Sequence, residues 1–187
     1  MVPSSKMIGN EVIPRSKNDG RKWAIIEMSS TMTVPFDGHV EAWNVYSDKD
    51  TTVVMMIWRQ DPLNDKKFTL IGQNFISLEA YKPNLVNVPD FNQINVKKGD
   101  VIGFWFPPHL DVGVKYDSCS DSKTKIYVLK VDTADQFIIG GTKEMSVTSY
   151  YRCRKYAIGA LINPGKRNLK EKFKMGYLSL IWKNHVR

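Results

Sequence analysis

Histidine and cysteine are scarce in this chain, three and two among 187 residues, and neither is spaced for chemistry. Without a His-x-x-x-His or His-Glu pairing there is no ligand set for a metal-bound water. Two cysteines that do not form Cys-x-x-Cys exclude a four-cysteine zinc site and leave one disulfide possible. Phosphate-cradling and nucleophile motifs are missing as well. No apolar run reaches the roughly 20 residues that span a bilayer, so no transmembrane segment is expected. The start, Met1-Val-Pro-Ser-Ser-Lys6, has no apolar stretch of the kind that forms an export signal. The expectation is a cytosolic protein or a chain that begins after such a signal. Asn-x-Ser/Thr acceptors for glycans do not occur either.

Acidic residues run short at one end only. From Asn163 onward seven basic residues face Glu171 alone, a charge of +6, and the formal +8 of the chain leaves only +2 for residues 1–162. Affinity for polyanions or acidic surfaces is therefore expected in the tail, and the body gives no sign of a specific nucleic-acid face. Tyr150-Tyr-Arg-Cys-Arg-Lys-Tyr156, its one basic-aromatic cluster, is explained by a solvated strand edge that discourages aggregation.

What the chain does have is strands and turns. Trp23 to Val34 is rich in Ile, Met, Thr and Val and stops at Pro35, with Asp37-Gly38 as the turn. His39 to Tyr46 alternates, which puts Val40, Ala42 and Tyr46 on one face and Glu41, Trp43 and Val45 on the other. Thr52 to Trp58 is apolar on both faces, the mark of a strand covered on each side, and Arg59 to Lys67 reads as a polar loop. Phe68 to Ala80 is β-prone with a bulge or bend at Gly72-Gln-Asn74. Leu85 to Val88, Ile94 to Val96 and Val101 to Phe106 follow, the last ended by Pro107-Pro108. Ile126 to Val131, Glu144 to Tyr151 and Lys155 to Ile162 bring the count to about ten. Turn signals every eight to twelve residues, with no helical period between them, predict an all-β antiparallel sandwich or barrel. Residues 1–21 are read as an N-terminal extension, 22–162 as the β-sandwich domain and 163–187 as a basic tail. In the tail, Leu169, Phe173, Tyr177, Leu180 and Ile181 recur at helical spacing behind a capping-box form at Asn168–Glu171.

Four runs stand in order: Val34-Pro-Phe-Asp-Gly-His-Val-Glu-Ala-Trp43, Met56-Ile-Trp-Arg59, Phe68-Thr-Leu-Ile-Gly-Gln-Asn74 and Ile94-Asn-Val-Lys-Lys-Gly-Asp-Val-Ile-Gly-Phe104. Together they resemble a jelly-roll-type β-sandwich domain of extracellular proteins of marine invertebrates, found alone or beside adhesion and carbohydrate-recognition modules. The resemblance covers about residues 22–162. It implies a jelly-roll sandwich, an extracellular setting and a pairing of Cys119 with Cys153. It implies no activity.

Candidate ligand contacts gather in Pro107 to Asp117, a loop at the end of the sandwich, where recognition residues ride on a rigid frame. His109, Asp111, Lys115, Tyr116 and Asp117 offer varied hydrogen bonding to a saccharide or a protein. Trp105, like Trp43 and Trp58, either packs the core or stacks on a sugar ring. Asp111, Asp117 and Asp121 lack the dense pattern of a calcium loop, and no cofactor is expected. Arg59, at a strand end, is read as a structural ion pair. Cys153, between Arg152 and Arg154, is a disulfide partner or a buried thiol. The functional expectation is a non-enzymatic extracellular recognition module that binds carbohydrate or a partner protein through its end loops. The alternative is a structural or adhesive module that forms homo-oligomers and touches acidic surfaces with its tail.

Overall fold

The computed structural model describes residues 4–18, 23–107, 109–120, 124–131, 137–147 and 153–165. The helical spacing of the tail, Asp121 and, within Tyr150–Tyr156, the residues 150–152 lie outside them. The strands are, in chain order, Lys6–Gly9 (β1), Lys17–Asn18 (β2), Ala24–Met28 (β3), Gly38–Ser47 (β4), Thr51–Asp61 (β5), Asn64–Leu78 (β6), Lys82–Asn87 (β7) and Asn95–Val96 (β8). Val101–Trp105 (β9), Lys115–Ser118 (β10), Lys125–Leu129 (β11), Thr142–Glu144 (β12), Ser146–Val147 (β13), Arg154–Tyr156 (β14) and Ile158–Asn163 (β15) follow. A single 3-10 turn, Asp90–Asn92, is the only helical element among the described residues, and none is long and apolar enough to cross a membrane.

Every pairing is antiparallel, and the pairs nest. β5 and β6 form the innermost hairpin, β4 pairs with β7 outside it, β3 with β9 outside that, and β1 with β15 outermost. A hairpin of eight strands rolled over itself in this way is a jelly roll, with β1-β15-β4-β7 in one sheet and β6-β5-β9-β3 within the other. The all-β sandwich expected from the turn spacing is thus what the chain forms. Between the sheets lies the main core, with Val40, Trp43, Val45, Ile158 and Ile162 from one side and Val53, Met55, Ile57, Ile102 and Phe104 from the other.

The larger sheet has seven strands and a second buried face. Strand β12 extends it at β6 and strand β13 extends it at β11, yet only Met145 separates β12 from β13. The two edges of the sheet therefore meet, and the sheet curls into a barrel around Val54, Met56, Trp58, Leu70, Trp105 and Phe137. Phe68 on β6 and Tyr127 on β11 touch edge to face at 5.0 Å across the closure. This is why Thr52 to Trp58 is apolar on both faces: Val53, Met55 and Ile57 point into the sandwich and Val54, Met56 and Trp58 into the barrel. Each such side chain, fully buried, contributes about 1.5–3 kcal/mol.

Several sequence expectations need correction. Val40 faces the same core as Trp43 and Val45, because the register steps from Leu161↔Ala42 to Ile162↔Val40 and the extra Glu41 reverses the alternation. Arg59 to Lys67 is not a loop; β5 and β6 continue through it to a tight tip at Pro62-Leu63, so the polar residues there are the exposed end of a hairpin. Glu144 to Tyr151 splits at Met145, which turns into the barrel. Within the N-terminal extension, β1 supplies the edge of the smaller sheet. Four residues with one inward side chain, Ile8, are too short a run to stand out by alternation. The bulge expected near Gly72 is present: Ile57↔Gly72 is followed by Trp58↔Leu70, which leaves Ile71 unpaired.

Candidate functional site

Residues 109–114, which lead into β10, form a plug for the end of the sandwich. Val112 and Val114 are buried in the main core, and Gly113 lies so close to Ser47 that a Cβ would meet its Oγ at 2.1 Å. The polar residues around the plug are bound to the scaffold. Lys115 pairs with Asp48 at 2.6 Å and Asp111 with Lys49 at 3.3 Å. Asp117 accepts hydrogen bonds from the Ser16 N–H at 3.0 Å, the Ser16 hydroxyl at 2.9 Å and Arg15 at 3.1 Å. The Ser16 N–H, more than the others, holds its carboxyl below the ordinary value. Tyr116 carries the Arg154 guanidinium 4.0 Å above its ring. Trp105 is 1% exposed inside the barrel, edge to face with Phe137, and has no free surface for a sugar. His109 and Asp111 stand exposed at the tip. Of the six residues grouped by the sequence, Trp105 is buried in the barrel, and Asp111, Lys115, Tyr116 and Asp117 are each engaged by neighbouring side chains. Among the described residues no three His, Cys, Asp or Glu side chains gather as metal ligands.

Glu27 on β3 is buried at 3% exposure, with Asn10, the Ser29 hydroxyl and the Tyr156 N–H donating to its carboxyl. Burial outweighs those bonds and the charge of Arg15 and pushes its pKa from 4.5 up to about 7. The folded state thus keeps a proton that the unfolded state loses above about pH 4.5, so stability falls as pH rises from there through about 7 and is flat beyond. Thermal melts at successive pH values should show this downward slope, and Glu27→Gln should flatten it. An unchanged slope in that variant would assign the effect elsewhere.

A different part of the molecule is open. Along the side of the sandwich, between β6 and the segment that runs from β7 to β8, lies a groove of about 810 Å³. Phe75 and Phe91 line it with 58% and 65% of their surfaces exposed, Ile139 is 61% exposed, and Ile71, Ile76, Val86, Val88, Pro89 and Ile94 add to the apolar wall. Its polar side chains are carboxamides: Gln73 and Asn74 from β6, Asn87 from β7, Asn92 and Gln93 from the connection, and Asn95 from β8. Among the described residues the lining contains no carboxyl, amine, imidazole, thiol or hydroxyl side chain.

The groove is built on the core. The Trp43 indole N–H, which can only donate, gives a 2.9 Å hydrogen bond to Asn74 Oδ1, so the Asn74 amide faces outward and its Nδ2 donates to the Asn92 carbonyl at 3.0 Å. One side chain therefore ties the smaller sheet, the β6 strand and the turn that carries Phe91. Ile94 rests on Gly72, where a Cβ would come within 2.7 Å of its Cγ2. Asn74 and Gly72 thus hold the connection against β6. Gln93 is fixed through Nε2 to the Val88 carbonyl at 3.4 Å and to Asp90 at 3.3 Å. The side-chain amides of Gln73, Asn87, Asn92 and Asn95 make no hydrogen bond among the described residues.

The chain matches no family model, no curated protein and no solved structure.

Sequence reasoning missed the groove because its walls come from residues 71–76, 86–95 and 139, which meet only through the nested pairing. One signal was present: between Asn87 and Asn95 four carboxamides surround a phenylalanine with Asp90 as the sole charge.

Proposed function

We propose that this domain is a non-catalytic recognition module that takes a carbohydrate into the groove between Phe75 and Phe91. The observation that carries the reading is two exposed phenyl rings set among carboxamides with unused hydrogen-bonding capacity. A sugar ring has an apolar C–H face and an edge of hydroxyls. A phenyl ring covers the first, and a carboxamide, with two donors and an acceptor, matches neighbouring hydroxyls. The same lining offers nothing that transfers a proton or attacks a bond, which supports binding over turnover. The Cys119–Cys153 disulfide supports a location in an oxidising, extracellular setting.

The test is a glycan array followed by calorimetry on the full chain. Phe75→Ala and Phe91→Ala should each remove about 2 kcal/mol of binding, roughly thirtyfold in Kd, without lowering the melting temperature, since both rings are exposed in the free protein. A bound glycan indifferent to both variants would move the site elsewhere. Capture of a protein through Phe91 with no glycan bound would replace carbohydrate by a protein partner.

A further inference from the structure

We infer that the ligand of this groove is an uncharged glycan; the inference rests on the carbohydrate reading above and narrows it. The sixteen described residues that line the groove include none that ionises, in a chain of which 25% of residues are charged. The absence extends along the strands that form the walls. From Phe68 to Leu78 there is no charged residue, and from Pro83 to Val96 there is only Asp90. Asp90 stands next to Phe91, exposed, and its carboxyl accepts from Gln93.

A uronate, sulfate or sialate carried into this groove leaves water and meets no ammonium or guanidinium. Amides can solvate such an anion only in part, so its desolvation goes uncompensated, and the nearest full charge is a carboxylate of the same sign. A hydroxyl loses far less on entering and recovers it from Gln73, Asn87, Asn92 or Asn95. The preference runs against the formal charge of +8, which by itself would draw anionic polysaccharides to the protein. That attraction belongs to the basic residues after Asn163. The two modes differ in their response to salt: contacts between neutral groups are not screened, while an anionic chain held by lysines is released as ionic strength rises.

Calorimetry on the full chain with a neutral oligosaccharide found on the array, and with a sulfated derivative of the same backbone, tests the inference. The neutral form should bind with a Kd that stays within about twofold from about 50 to 500 mM NaCl, and the sulfated form should bind at least tenfold more weakly at the higher salt. Asn87→Lys, a change at an exposed lining residue, should recover about tenfold for the sulfated form. Tighter binding of the sulfated form at high salt, lost in Phe91→Ala, would overturn the uncharged ligand and leave the carbohydrate reading standing. If no glycan, neutral or anionic, responds to Phe75→Ala or Phe91→Ala, the carbohydrate reading itself fails and takes this inference with it.

Discussion

With Cys119 and Cys153 both replaced by serine, the domain is expected to lose about 3 to 4 kcal/mol of stability. The bond joins residues 34 apart, and the chain-entropy model gives that amount for a loop of this size. For a chain of this length the loss is about 6 to 16 °C in melting temperature. The consequence is local as well as global. The Cys119 N–H donates to the Cys153 carbonyl at 3.1 Å, and the disulfide holds β10 against β14 in a sheet of three short strands. Proteolysis of the double variant should therefore cut first between Ser118 and Arg154. An equal melting temperature with and without reductant would show that packing alone secures this corner.

Arg59→Ala is expected to cost about 3 kcal/mol or more, out of proportion to the exposure of the side chain. Arg59 is 39% exposed, but the Asp100 carboxylate that it holds through two hydrogen bonds, 2.7 and 2.9 Å, is 1% exposed. Removing the guanidinium strands a buried charge, the costly way to break such a pair. Asp100→Ala should cost less on the charge side, because Arg59 can reach water, though it also loses the acceptor for the Lys97 N–H at 2.8 Å that shapes the turn into β9. Chemical denaturation of the two single variants and the double variant gives the coupling directly. Additive losses would mean that the pair carries no cooperative energy and that the buried carboxylate finds another partner.

Much of the scaffold was legible from the residues. Six consecutive apolar residues, Val53 to Trp58, announce a strand covered on both faces, and Lys97 to Asp100 announces a turn, with Gly99 at φ +94°. The four runs that carry the family resemblance turn out to meet one another. Trp43 bonds Asn74, Arg59 holds Asp100, and the Trp58 indole lies on Gly103, where a Cβ would come within 2.8 Å of it. They describe how the sheets are held together, which explains why they say little about a ligand. In the segment that the sequence proposed as a site, Asp111, Lys115 and Asp117 are ion-paired to Lys49, Asp48 and Arg15. Curling of the larger sheet was not legible, because it depends on Met145 standing between two short strands that belong to opposite edges.

The nested order of pairing also bears on how the molecule is made. Lys6 lies against Ile162, so a ribosome releases the outermost strand long before its partner exists. Until then β4 has β7 on one side and nothing on the other, and the nascent chain presents an unsatisfied edge suited to pairing with a neighbour. Production in cells should for that reason be limited by the emergence of β15, and chains truncated before Ile158 should need chaperones to stay out of aggregates.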